Sequence, residues 1–113
     1  MLTREQILAA DDLARETVEV PEWGGSVIVQ VMRGIDRDAF ESSIVTNGRP
    51  DLVNMRAKLA AVCMVDESGQ RLFSVGDVES LGAKSASALE RVARVAQKLN
   101  RLGDAQLEEM KGN

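Results

Sequence analysis

A chain of 113 residues with a net charge of −4, from 14 basic and 18 acidic side chains, has room for one domain and one modest core. The acidic balance argues against a nucleic-acid role, because such domains carry a basic face. With no histidine, a single cysteine and 3% aromatic residues, the chain lacks the commonest general base and metal ligand, cannot form an internal disulfide, and must build its core from Val, Leu, Ala, Ile and Met.

In chain order, Thr3 with Gln6 three residues on makes a capping-box pattern for a short helix from about Arg4 to Ala10, which Asp11-Asp12 should end. Residues 16 to 32, ETVEVPEWGGSVIVQVM, predict an antiparallel β-hairpin. Gly24-Gly25 suits a two-residue loop that needs positive φ twice, which would pair Val20 with Val29 and Pro21 with Ile28. That register puts Val18, Val20, Val27, Val29 and Val31 on the core face. Pro21, Trp23 and Ile28 fall on the other, smaller apolar face, and Pro21 belongs on an edge strand or at a strand end. The only tryptophan thus has two readings: a side chain folded over Ile28 onto a neighbouring helix, or an anchor for a partner. Pro21, Trp23 and Ile28 are the candidate partner-binding residues.

The segment from about 36 to 102 predicts helices. Asp36 can cap one running to about Thr46, with Phe40 and Ile44 on one side. Asn47-Gly48-Arg49-Pro50 marks a turn. Pro50 or Asp51 opens a helix in which Leu52, Met55, Leu59 and Val62 keep a three-four rhythm, and LAAVCMV should be the most buried stretch. After a turn at Asp66–Gln70, Ser74 and Asp77 cap a short helix that Gly82 stops. The longest helix runs from Ser85 to about Leu102, with Leu89, Val92, Ala96 and Leu99 on one stripe and Gly103 ending it. Arg91, Arg94, Lys98 and Arg101 lie on its other faces, as a solvated surface or an electrostatic docking surface. Residues 103–113 predict a frayed tail. The expected fold is α+β, one domain over 1–113, predominantly helical with an N-terminal hairpin on four to five helices.

The search for chemistry returns nothing. Cys63 has no histidine to activate it and should be a small buried apolar residue. Gly82-Ala83-Lys84-Ser85 lacks the second glycine and the upstream strand of a phosphate loop. Asp66-Glu67-Ser68-Gly69 lacks the alternating oxygen ligands of a calcium loop. Asp11-Asp12 and Glu108-Glu109 are exposed pairs. The expectation is a protein that is not an enzyme and uses no cofactor and no metal. No stretch approaches the roughly 18 consecutive apolar residues of a membrane span. Acids in MLTREQILAADDLARE occupy the place of a signal peptide's apolar run, so a cytoplasmic location is expected.

Three stretches carry a resemblance: LTREQILAADDLARETVEVPEWGGSVIV, RGIDRDAFESSIV, and NMRAKLAAVCMVDESGQRLFSVGDVESLGAKSASALERVARVAQKLN. Together they resemble the tail assembly chaperones of long-tailed bacteriophages over nearly the whole chain, through the V-x-V-P-E-W-G-G hairpin, the V-D-E-x-G-x-R-L-F step and a last helix ending near Leu-Asn. The resemblance implies a non-catalytic protein of the host bacterial cytoplasm, from a phage or prophage. Such a protein binds the tape measure protein, keeps it assembly-competent while tail tube subunits polymerise around it, and is absent from the mature virion. Tail tube subunits and further copies of the chain are candidate partners; nucleic acid and membrane are not. Met32, Met55, Met64 and Met110 would suit an adaptable groove for a helix, although methionines at helical spacing are more often core. The alternative is a structural tail or head-tail connector subunit retained in the virion.

Overall fold

The computed structural model describes residues 1–102. Five α-helices and two small antiparallel sheets are found among them, in the order α1 (Arg4–Ala9), β1 (Arg15–Val20), β2 (Gly25–Gln30), α2 (Gly34–Ser43), β3 (Val45–Thr46), β4 (Arg49–Pro50), α3 (Met55–Cys63), β5 (Met64–Val65), α4 (Val78–Gly82) and α5 (Ala86–Leu99). The fold is α+β and mainly helical, with the hairpin at the N-terminal end, as the patterning predicts. The frayed tail predicted for 103–113 lies outside the described residues.

The hairpin forms in a register different from the predicted one. Val20 faces Gly25, Val18 faces Val27, Thr17 faces Ile28 and Glu16 faces Val29. Pro21–Trp23 is not strand but a single 3-10 turn, closed by the Gly24 amide donating to the Pro21 carbonyl at 3.0 Å. Gly24 has φ +75°, whereas Gly25 begins β2 and needs no positive φ. Pro21 causes this: its ring fixes φ near the helical value and removes the amide a ladder would need. The loop therefore has four residues, and Val20 faces Gly25 rather than Val29. A shift by an even number leaves every side chain on its face. Val18, Val20 and Val29 are buried as predicted, although Val27 and Val31 are only half-buried.

The turn predicted at Asn47–Pro50 forms, and it is there, at Asn47-Gly48, that two successive residues take positive φ, +53° and +74°, in the loop joining β3 to β4. The start of α3 moves as a consequence. Asp51 does not open a helix: its carboxylate takes the Thr46 hydroxyl at 2.8 Å and the Val53 amide at 3.2 Å. A side chain engaged with nearby backbone this way competes with helix formation. α3 begins after Asn54, at φ +56°. Asp36 also differs from its predicted role. It sits inside the first turn of α2, held by the Arg33 guanidinium at 2.8 Å, and Arg33 is the N-cap residue.

β1, β2 and β5 make one sheet in that order, with Val29 facing Met64 and Ile28 facing Val65. α5 packs on α3 and on the hairpin, and α3 packs on α2 and α4. The stretch Leu59–Val65 is buried throughout, as predicted, but its last two residues leave the helix to form β5. Ile44, Leu59, Met64, Val20, Val29 and Val92 are essentially fully buried, each stabilising the fold by about 1.5–3 kcal/mol. Met32 and Met64 are core residues and Met55 is half-buried, so the structure forms no methionine-lined groove from these three.

α1 stands apart. Its capping box forms as predicted, with the Gln6 amide on the Thr3 hydroxyl at 3.2 Å and the Thr3 amide on the Gln6 side chain at 2.9 Å. Yet none of its residues is buried.

Candidate partner-binding site

α5 runs along the hairpin and is tied to it by three charged or polar links. At the tip, Arg91 meets Glu22 at 2.6 Å, and the Ser87 hydroxyl donates to the same carboxylate at 3.2 Å. Farther along, Lys98 meets Glu16 at 3.0 Å. At the base, the Asn100 side chain accepts the Met32 amide at 2.8 Å. The basic residues of α5 are therefore not a uniform solvated surface. Arg91 and Lys98 hold the hairpin, while Arg94 shares Glu90 with Arg56. Exposed pairs of this kind contribute little energy each.

The Glu22 link positions the residue beside it. Trp23 is half-buried against the core and stands over a cleft of about 510 Å³ between the hairpin tip and α4. The cleft is lined by Glu22, Trp23, Phe73, Asp77, Ser80, Leu81 and Lys84. Leu81 is its buried floor and Phe73 its second aromatic wall. The chain has three aromatic residues, Trp23, Phe40 and Phe73. Phe40 is in the core, so both of the others are spent on this one cleft. The Glu22 carboxyl is held below the ordinary carboxylate range, first by its own backbone amide and then by the Ser87 hydroxyl and Arg91, against the opposing effect of desolvation. Folding therefore favours the charged form of Glu22, the form that anchors the tip.

The three predicted partner-binding residues are not brought together. Trp23 lines the cleft. Pro21 is exposed at the start of the 3-10 turn. Ile28 lies in β2 between Thr17 and Val65, on the sheet face opposite Val29. Pro21 and Ile28 are not opposed, because the four-residue loop moved their pairing, and neither lines the cleft. Trp23 shares the cleft with Phe73 and with Leu81 of the neighbouring helix α4, and Ile28 does not line it. Phe73 and Leu81 were missed because their segments look like a short irregular run and a brief helix. The available signal was compositional: in a chain with three aromatic residues, a second one beside a turn is itself unusual.

Among the described residues no group of three or more His, Cys, Asp or Glu side chains could hold a metal ion. Cys63 is buried, its thiol pushed up to about 12 by desolvation. A thiol so placed is neutral at physiological pH and a poor nucleophile. Among the described residues no helix is long and apolar enough to cross a membrane.

No protein-family model and no curated protein matches the chain in sequence. In structure it is similar to the tail assembly chaperone of bacteriophage HK97, at a TM-score of 0.62 and 21% identity, over 88% of this chain and 95% of that one. The chain thus has the fold of a solved phage tail assembly chaperone, matched along almost the full length of both.

Proposed function

We propose that this protein is a tail assembly chaperone of a long-tailed phage or prophage. It acts in the host cytoplasm by reversible, non-catalytic binding to the tape measure protein, which it keeps soluble and assembly-competent while the tail tube polymerises, and it does not remain in the mature virion. The observation that carries the reading is the end-to-end structural similarity to the HK97 protein. Two features support it: an open cleft lined by aromatic side chains, and a lone thiol buried beyond use.

The test is co-expression with the tape measure protein encoded with it, followed by co-purification. The tape measure protein should become soluble and elute with this chain. If it stays insoluble and unbound, the reading fails, and a virion subunit becomes the better account. Mass spectrometry of purified particles separates those two roles, since the chaperone should be missing from them.

A further inference from the structure

We infer that the Trp23–Phe73 cleft is where this chain takes a partner, and that the partner is an amphipathic helix with a bulky apolar stripe flanked by Lys or Arg. The inference rests on the binding role proposed above and gives it a location and a chemistry.

The backbone selects a helix. Among the lining residues, the amides of Asp77 and Lys84 are spent on the carbonyls of Ser74 and Leu81. Pro21 has no amide to offer. None of the lining residues belongs to a strand, so an extended segment entering the cleft would find no sheet edge to pair with, and its own backbone groups would lose water without replacement. A helix brings its backbone bonds already satisfied and needs only apolar area and a rim of suitable charge.

The cleft offers both. Trp23 and Phe73 are half-buried walls over the buried Leu81, a preformed concavity of about 510 Å³ that takes large side chains one helical turn apart. Its rim holds two carboxylates, Glu22 and Asp77, against one ammonium, Lys84. Glu22 is matched by Arg91. Asp77 bonds only the amide and hydroxyl of Ser74 and has no cation within salt-bridge distance among the described residues. A positive charge beside the apolar stripe meets that carboxylate, and the chain's overall charge of −4 attracts a basic segment from a distance.

Trp23 is the only tryptophan, so its emission reports on the cleft alone. The full chain is titrated with overlapping, tryptophan-free peptides of about 30 residues from the tape measure protein. A basic amphipathic peptide should shift Trp23 emission to the blue and gain helical circular dichroism on binding. Two variants at one exposed lining position test the chemistry. Ser80→Arg should weaken that peptide at least tenfold, roughly 1.4 kcal/mol, while Ser80→Glu stays within about threefold of the parent. Both should melt like the parent. Equal losses from both variants would overturn the basic-helix chemistry. Undiminished co-purification of the tape measure protein with Ser80→Arg, with Trp23 emission unmoved, would overturn the site and leave the proposed function standing. A shift that follows protein concentration alone would make a second copy the occupant, and the inference would fall. If the parent chain binds no peptide and no tape measure protein, the proposed function fails first.

Discussion

The two ends of α5 are finished in opposite ways. At its C-terminal end Asn100 is buried, and its side chain accepts the Met32 amide while donating to the Ala96 carbonyl at 2.8 Å and to the Cys63 sulfur at 3.5 Å. Its own carbonyl takes the Arg37 guanidinium at 2.8 Å. One residue thus joins the end of α5 to the segment that follows β2, to α3 and to α2. At the N-terminal end, Ser87 and Arg91 hold the hairpin tip only through the exposed Glu22, and the two aromatic walls beside it remain half open. A closed polar network serves stability, because every group in it is costly to orphan. An open aromatic cleft gives up some burial and keeps a surface for use.

The difference can be broken by mutation, most strongly at the closed end. Asn100→Ala leaves the Met32 amide buried without a partner and should cost about 2–4 kcal/mol, read as a lowered urea midpoint with an unchanged slope. Trp23→Ala should cost clearly less, since Trp23 is only half-buried. Equal costs would mean that the cleft is a structural element like the other end.

Cys63 gives the next effect, through pH. Its thiol in the folded protein is pushed up to about 12 from an ordinary 9.0, so folding favours the neutral form. That contribution is fully present below about pH 9 and is lost as pH rises from there, by about 1.4 kcal/mol per pH unit at its steepest, because only the unfolded chain ionises. Between pH 8 and pH 10 the urea midpoint of the parent should therefore fall further than that of Cys63→Ala. Parallel falls would show that water reaches the thiol beside Asn100.

The glycines at the open end test the loop. Gly24→Ala should cost about 1 kcal/mol, because Gly24 sits at φ +75°. Gly25→Ala should be close to neutral, since Gly25 is in β2 and an added Cβ meets nothing within 4 Å. Comparable costs at both would favour the two-residue loop over the 3-10 turn and would move Trp23 away from Phe73.

The smallest effect returns to the closed end. After Asn100, the Leu102 amide donates to the Gln97 carbonyl at 2.9 Å and Leu102 is buried, a helix ending that places Arg101 at φ +56°. Glycine is favoured there. Arg101→Gly should stabilise by about 0.5 kcal/mol, detectable as a slightly raised melting temperature.

Local chemistry was legible in the residues. The Thr3 and Ser74 caps, the buried stripe of Leu89, Val92 and Ala96, and the burial of Leu59–Val65 follow from periodicity and capping, which act over one or two turns. The core face of the hairpin was legible even though its register was not, because an even shift preserves alternation. Which positions would need positive φ was harder to read. Gly24-Gly25 and Asn47-Gly48 both suit a tight turn, and Pro21 beside the first pair, rather than the pair itself, decided between them. The end of α5 was misplaced for a similar reason. Gly103 looks like a helix stop, but α5 ends at Leu99 with Asn100 as its cap and Arg101 at φ +56°, and the Asn100 side chain is bonded to Met32, some seventy positions back in the chain.

By itself, then, the amino-acid sequence determined what depends on neighbours along the chain: the element types, the caps, the buried stripes, and the resemblance that suggested tail assembly. Only the tertiary structure decided which distant residues meet. It put Trp23 in one cleft with Phe73 and Leu81, turned Arg91 and Lys98 from surface charges into hairpin anchors, and made Asn100 a joint between α5 and distant segments. The physical reason is that helix and strand propensities are settled within a few residues, whereas a cleft is a contact between segments some fifty residues apart, and no local pattern records where two such segments come to rest.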